Sequence, residues 1–254
     1  WIDFAQNQGK STGGFCASPY GKNSFILLSW NERMSDVFTL AHELGHAGHF
    51  KSCNSSQSIF DTEVSTYFVE APSTMNELLM AHYLLKTNPD PRFRRWVLSC
   101  MIGNTYYHNF VTHLMEAAYQ RKVYQIVDAG GSVNAETLTR LMKETLQSFW
   151  GEDVEISDDA AYTWMRQPHY YMGLYSYTYS AGLTVATQVC KRIEKEGQCA
   201  VDDWKKVLAA GSTLDPAGLA RLAGIDITTD APLLDTIAYI GEIIDEIERL
   251  TDSL

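Results

Sequence analysis

The chain has 254 residues, 45% hydrophobic and 12% aromatic, enough to bury a substantial core and too apolar for a disordered chain. Its 31 acidic and 20 basic residues give a formal charge of −11, which argues against nucleic-acid or anionic-membrane partners, since either needs a basic face. Seven prolines are few for this length, and that scarcity suits long helices.

Residues 1–31 are punctuated by Gly9, Gly13, Gly14, Pro19 and Gly21 around two apolar stretches, residues 15–17 and 24–30. They predict two strands joined by a Pro-Tyr-Gly-Lys-Asn turn, a small hairpin. Beyond residue 35 the period becomes helical. Ser35 or Asp36 can cap a helix with Val37, Leu40, Ala41 and Leu44 on one face. A second helix is predicted over residues 62–86, stopping before Asn88-Pro89-Asp90-Pro91, and a long third over 93–127 with a break near Gly103. Asn134 caps a helix reaching Phe149, and Gly151 closes it. Residues 158–166 read as a short helix and 171–196 as a long one. Asp215-Pro216 opens a short helix ending near Gly224, and residues 232–250 complete the set. No repeat, low-complexity segment or linker interrupts the pattern. The expectation is a mainly α domain over 1–254 with a small β-hairpin near its start.

Cys16, Cys53, Cys100, Cys190 and Cys199 are odd in number, widely spread and form no C-x-x-C pair. They read as thiols of a reducing cytoplasm, not as a disulfide framework. No apolar run reaches bilayer-spanning length, so no membrane partner is expected. No signal peptide is apparent, and an opening Trp1 in place of Met points to a piece of a longer protein.

The strongest chemical signal is Ala41-His42-Glu43-Leu44-Gly45-His46, a match to H-E-x-x-H. Residues i and i+4 share a helix face, so His42 and His46 can present two imidazoles to one metal ion. Glu43, rotated by about 100°, can reach a water beside that metal without being a ligand. Gly45 is a costly choice inside a helix, by about 1 kcal/mol relative to Ala, which implies a close backbone approach. The site reads as zinc.

A catalytic zinc takes three protein ligands and keeps a fourth position open. Glu63, Glu70 and Glu77 follow at seven-residue spacing and share a face, so spacing does not choose between them. Glu70 lies among Phe68, Val69, Ala71 and Pro72, where a carboxylate needs a partner such as a metal. Glu77 is placed to accept a hydrogen bond from a ligand histidine, and Glu63 reads as a surface charge. His49 lacks the spacing of a third metzincin histidine and is expected to support its helix by a hydrogen bond. His82, His108 and His113 have no partners nearby in sequence and read as satisfied or surface histidines. The segment Pro168-His169-Tyr170-Tyr171, followed by Tyr175, Tyr177 and Tyr179, is too rich in phenols for a core stripe. Tyrosines two apart on a helix cannot all face one way, so some should line a polar groove as donors to an oxyanion.

Residues 38–46 and 68–77, with the Pro-His-Tyr segment, Gly13-Gly14-Phe15-Cys16 and Leu222-Ala223-Gly224-Ile225-Asp226, resemble the thimet oligopeptidase and oligoendopeptidase F family. The oligoendopeptidase F branch is the more similar. The resemblance implies a zincin-like catalytic domain, one Zn2+ held by His42, His46 and Glu70, and Glu43 as the catalytic glutamate. It also implies His169 as a transition-state histidine and Tyr177 or Tyr179 as a catalytic tyrosine. The chain corresponds to the zinc-bearing, C-terminal half of such proteins. The implied activity is a zinc metalloendopeptidase acting on oligopeptides. Its rivals are a non-catalytic, zinc-stabilised peptide-binding module and a zinc carboxypeptidase.

Overall fold

The computed structural model describes residues 1–10 and 13–254. The chain divides into two compact units, one of residues Trp1–Tyr107 and Ala181–Leu254, the other of His108–Ser180.

In the first unit the predicted hairpin is present as β2 (Gly14–Ala17) antiparallel to β3 (Phe25–Leu28), with Gly14 opposite Leu28. A third strand that the sequence did not signal, β1 (Ile2–Asp3), runs parallel to β3 on its other side. β3 is therefore central and β2 lies at an edge. Ile26 and Leu28 are buried while Phe25 and Leu27 are more exposed, the alternation of a sheet with one covered face. That sheet packs on α1 (Met34–Ser56). Asp36 anchors the start of α1 by accepting from the backbone N–H of Asn31 at 2.6 Å and of Arg33 at 3.1 Å.

α2 (Thr66–Thr87) is the centre of this unit. Phe68, Ala71, Met75, Leu78 and Ala81 are all buried, and α1, α3 (Pro91–Cys100) and α9 (Pro216–Leu222) pack around it. Its backbone is approached from two sides at glycines. A Cβ on Gly45 would stand 2.6 Å from Ser73 Cα, and one on Gly182 would stand 2.6 Å from the Glu70 carbonyl carbon. Gly45 thus does what its place in a helix implied. α8 (Gln198–Ala210) covers α1 and was not anticipated. It follows α7 (Tyr177–Glu196) after one residue, Gly197, whose φ of +65° ends one helix and starts the next. α10 (Ala231–Asp252) lies on α3. Asp215 caps α9 by accepting from Gly218 N at 2.6 Å.

The break expected near Gly103 is a π-helical stretch, Met101–Thr112, between α3 and α4 (His113–Asp128). In the second unit α4 packs on α5 (Ala135–Trp150), capped by Asn134 as expected, its Oδ1 accepting from Thr137 N at 2.8 Å. Tyr119, Leu141 and Met142 form the core, joined by Val123, Leu138, Trp164 and Tyr170. A 3-10 turn (Asp158–Tyr162) and α6 (Thr163–Arg166) replace the single short helix expected there. The helix expected from residue 171 begins only at Tyr177. Pro168–Tyr171 is a 3-10 turn, and Gly173 at φ +68° carries a backbone that a helix cannot continue. Among the described residues no helix is long and apolar enough to cross a membrane, and the five cysteines are free thiols.

Candidate metal centre

α1 and α2 cross at Gly45, and that crossing brings the H-E-x-x-H residues against Glu70. His42 Nε2 lies 3.2 Å and His46 Nε2 3.3 Å from the same oxygen, Oε2 of Glu70. One atom from each residue lies within 4.8 Å of the other two. Two imidazoles and a carboxylate converging in this way could hold a metal ion. Ser73 donates to the same Glu70 oxygen at 2.8 Å and fixes its orientation.

The supporting contacts extend outward from His42. Its Nδ1 donates to Glu77 Oε1 at 2.7 Å, and Thr105 donates to Glu77 Oε2 at 2.5 Å. A carboxylate behind a ligand histidine fixes its tautomer and directs Nε2 at the metal. Spacing suggested Glu77; Thr105, on the π-helical stretch, had no signal in the sequence. Glu63 is exposed and precedes α2, as a surface charge should.

Charge around the centre favours a cation. Burial works against a positive His42, but Glu70 and Glu77 outweigh it and hold its pKa well above the ordinary value. Burial likewise opposes a charged Glu70, yet His42 and His46 outweigh it and keep its pKa well below the usual carboxylate range. Glu43 behaves differently. Burial raises its pKa, the charges of Glu70 and Glu77 add to the rise, and the two histidines only oppose it. One of its oxygens, Oε2, is buried with no hydrogen-bond partner. A carboxylate so placed is a ready proton acceptor beside the ligand set. The edge strand passes close to it: a Cβ on Gly14 would stand 2.9 Å from Glu43 Oε1.

His49 does not make the hydrogen bond expected of it. Its Nδ1 is buried and unpartnered, and its ring stacks on Phe50 with centroids 5.4 Å apart. Burial, with the nearby His46 charge, pushes its pKa down to about 4. His82 is satisfied, by Tyr239 Oη at 3.0 Å and Glu194 Oε1 at 3.0 Å.

His169, Tyr177 and Tyr179 belong to the second unit. His169 Nε2 lies 3.2 Å from Tyr179 Oη, its Nδ1 lies 2.5 Å from Gln167 Nε2, and Tyr175 stacks on its ring. Tyr177 is more exposed, 36% against an intermediate Tyr179. The expectation that His113 lacks neighbours in sequence is corrected. Its Nδ1 lies 2.7 Å from Glu116 Oε2, three residues on, and its Nε2 lies 3.1 Å from His108 Nε2. Its ring also stacks on Tyr179 at 4.0 Å. An i, i+3 His–Glu pair is readable from sequence.

The family model described as peptidase family M3 matches residues 1–239. The chain is 30% identical over 250 residues to oligopeptidase PepF of Bacillus subtilis, covering 98% of this chain and 37% of that protein. An oligoendopeptidase F homolog of Borreliella burgdorferi is 28% identical, with 98% and 42% covered. Among solved structures, oligoendopeptidase-F from Enterococcus faecium superposes with a TM-score of 0.71 at 26% identity, over 87% of this chain and 40% of that one. The chain thus spans about two fifths of the length of these relatives.

Proposed function

The chain belongs to peptidase family M3, and on that premise we propose that it is the catalytic part of a zinc metalloendopeptidase that cuts internal bonds of oligopeptides. The observation that carries this reading is the convergence of His42 Nε2 and His46 Nε2 on one oxygen of Glu70, with the Glu43 carboxylate beside them. The relatives' names, oligopeptidase and oligoendopeptidase, support the substrate class.

In this proposal His42, His46 and Glu70 hold one zinc ion. When bound, zinc supplies Lewis acidity that lowers the pKa of water and polarises a carbonyl oxygen. Glu43 takes the proton of the attacking water on its carboxylate and returns it to the departing amine. Its raised pKa suits both transfers. Glu77 and Thr105 hold the His42 ring in the tautomer whose Nε2 lone pair is free. The free edge of β2, passing Glu43 at Gly14, offers main-chain hydrogen bonds to an extended peptide. His169 and either Tyr177 or Tyr179 carry, by the family resemblance, the donors for the developing oxyanion. Metal dependence and cleavage at internal bonds are tested in one experiment. A mixed peptide set is digested with and without a zinc chelator, and the products are mapped. Internal fragments that vanish with chelator support the reading. Products trimmed one residue at a time, or cleavage indifferent to chelator, would contradict it.

A further inference from the structure

We propose that His113, Glu116 and His169 form a second site for a divalent transition-metal ion, lying wholly within residues 108–180 and sharing no residue with the His42–His46–Glu70 centre. One candidate ligand atom from each of the three lies within 4.8 Å of the other two. His113 and Glu116 are buried, at 1% and 5% exposure. Their contact of 2.7 Å needs to open only to the 3.2 Å seen between His42 and Glu70 to admit an ion. The donors, two imidazoles and one carboxylate, suit zinc, cobalt or nickel; calcium and magnesium seek six or more oxygens.

Two features argue that this cluster is more than a hydrogen-bonded core. Glu116 is a desolvated carboxylate with no lysine or arginine partner among the described residues, so its compensation must come from the imidazoles or from a cation they hold. His108 and His113 also point their Nε2 atoms at each other across 3.1 Å. Both cannot keep a proton there, so one of these nitrogens carries a lone pair, the form in which an imidazole binds a metal. Around the cluster, polar atoms remain to be satisfied. Gln120, one turn beyond Glu116, is 3% exposed with Oε1 unpartnered, although its Nε2 donates to the Gly173 carbonyl at 2.7 Å. Tyr170 Oη is also buried and unpartnered. An ion with its water would supply partners of the kind these oxygens lack. Ligation through His169 Nδ1 would displace Gln167, leave Nε2 beside Tyr179 for the donor role proposed above, and tie the Pro168–Tyr171 turn to α4.

The test is equilibrium dialysis of the whole, metal-stripped chain against Co2+, with bound metal measured and the visible d–d bands recorded. The native chain is expected to bind two equivalents, and His113→Gln and Glu116→Gln one each. His46→Ala should retain one equivalent, which His46→Ala combined with His113→Gln abolishes. If His46→Ala fails to fold, the two single variants with the first centre intact still decide. A native chain that saturates at one equivalent, or a His113→Gln chain that still binds two, would overturn the proposal. None of these readouts depends on peptide cleavage.

Discussion

Gly45 of α1 and Ser73 of α2 cross so closely that a methyl group on Gly45 would stand 2.6 Å from the Ser73 Cα. His46 and Glu70, the two residues that flank this crossing, offer their ligand atoms to each other at 3.3 Å. The separation of the helices therefore bears directly on the geometry of the candidate metal centre.

Gly45→Ala tests that link. In a free helix the substitution gains about 1 kcal/mol. Here backbone would meet backbone, and overpacking of this kind costs roughly 1–3 kcal/mol. The expected outcome is a chain less stable to urea and weaker in zinc binding, because the helices must separate. Unchanged zinc affinity would show that the crossing does not set the ligand spacing.

Glu77→Gln tests the support behind His42. The Glu77 carboxylate accepts from His42 Nδ1 at 2.7 Å and is itself held by Thr105. Outer partners of this kind are worth about 10- to 100-fold in metal affinity. A competition titration against a chelator should show weakening in that range for Glu77→Gln and a smaller loss for Thr105→Val. Native affinity in both would remove these residues from the account.

Much of this centre was legible in the sequence, and the physical reasons are local. The i, i+4 spacing of His42 and His46 fixes their shared face wherever the helix packs, and the apolar neighbours of Glu70 mark a carboxylate that needs a partner. The seven-residue spacing left Glu63 open because it presumes a helix from residue 62. The helix begins after Ser65, so Glu63 stays outside it. Long-range contacts were not legible: Gly182 against the Glu70 backbone, Thr105 against Glu77, and the two-residue strand β1, which is too short to alternate. The helix boundary at residue 171 was not legible because the turn at Gly173 interrupts an otherwise helical pattern. α8 carries a local signal as well, since Ala200, Trp204 and Val207 recur at helical spacing and are buried.

His49 gives the chain an acid sensitivity of known sign. Its pKa lies at about 4 in the fold against an ordinary 6.5. Between these values the unfolded chain binds a proton that the native chain refuses, so stability falls as pH drops through that window. His49→Leu removes the effect. Relative to native, the metal-free variant should gain about 2 kcal/mol in urea unfolding on going from about pH 7 to pH 5. A stability difference independent of pH would show that His49 titrates alike in the folded and unfolded chain, without the shift that burial imposes.

The phenols of the second unit are expected to differ. Tyr179 bonds His169 and stacks on His113, whereas Tyr177 is more exposed. If one of them donates to the oxyanion, its Phe variant and His169→Ala should lower kcat and kcat/KM together, by about 10²–10³-fold. Steady-state kinetics on a fluorogenic peptide distinguish the cases. Equal, small losses in all three variants, or a change confined to KM, would mean that the segment packs or binds substrate only.

The most direct test of the central claim is Glu43→Gln, assayed at once for zinc content and for cleavage of a fluorogenic peptide. Glu43 handles the proton and is not a ligand in this account. The variant should therefore keep the zinc of the native chain and lose about 10²–10⁴-fold in turnover. Loss of the zinc with the carboxylate, or cleavage at the native rate, would contradict it.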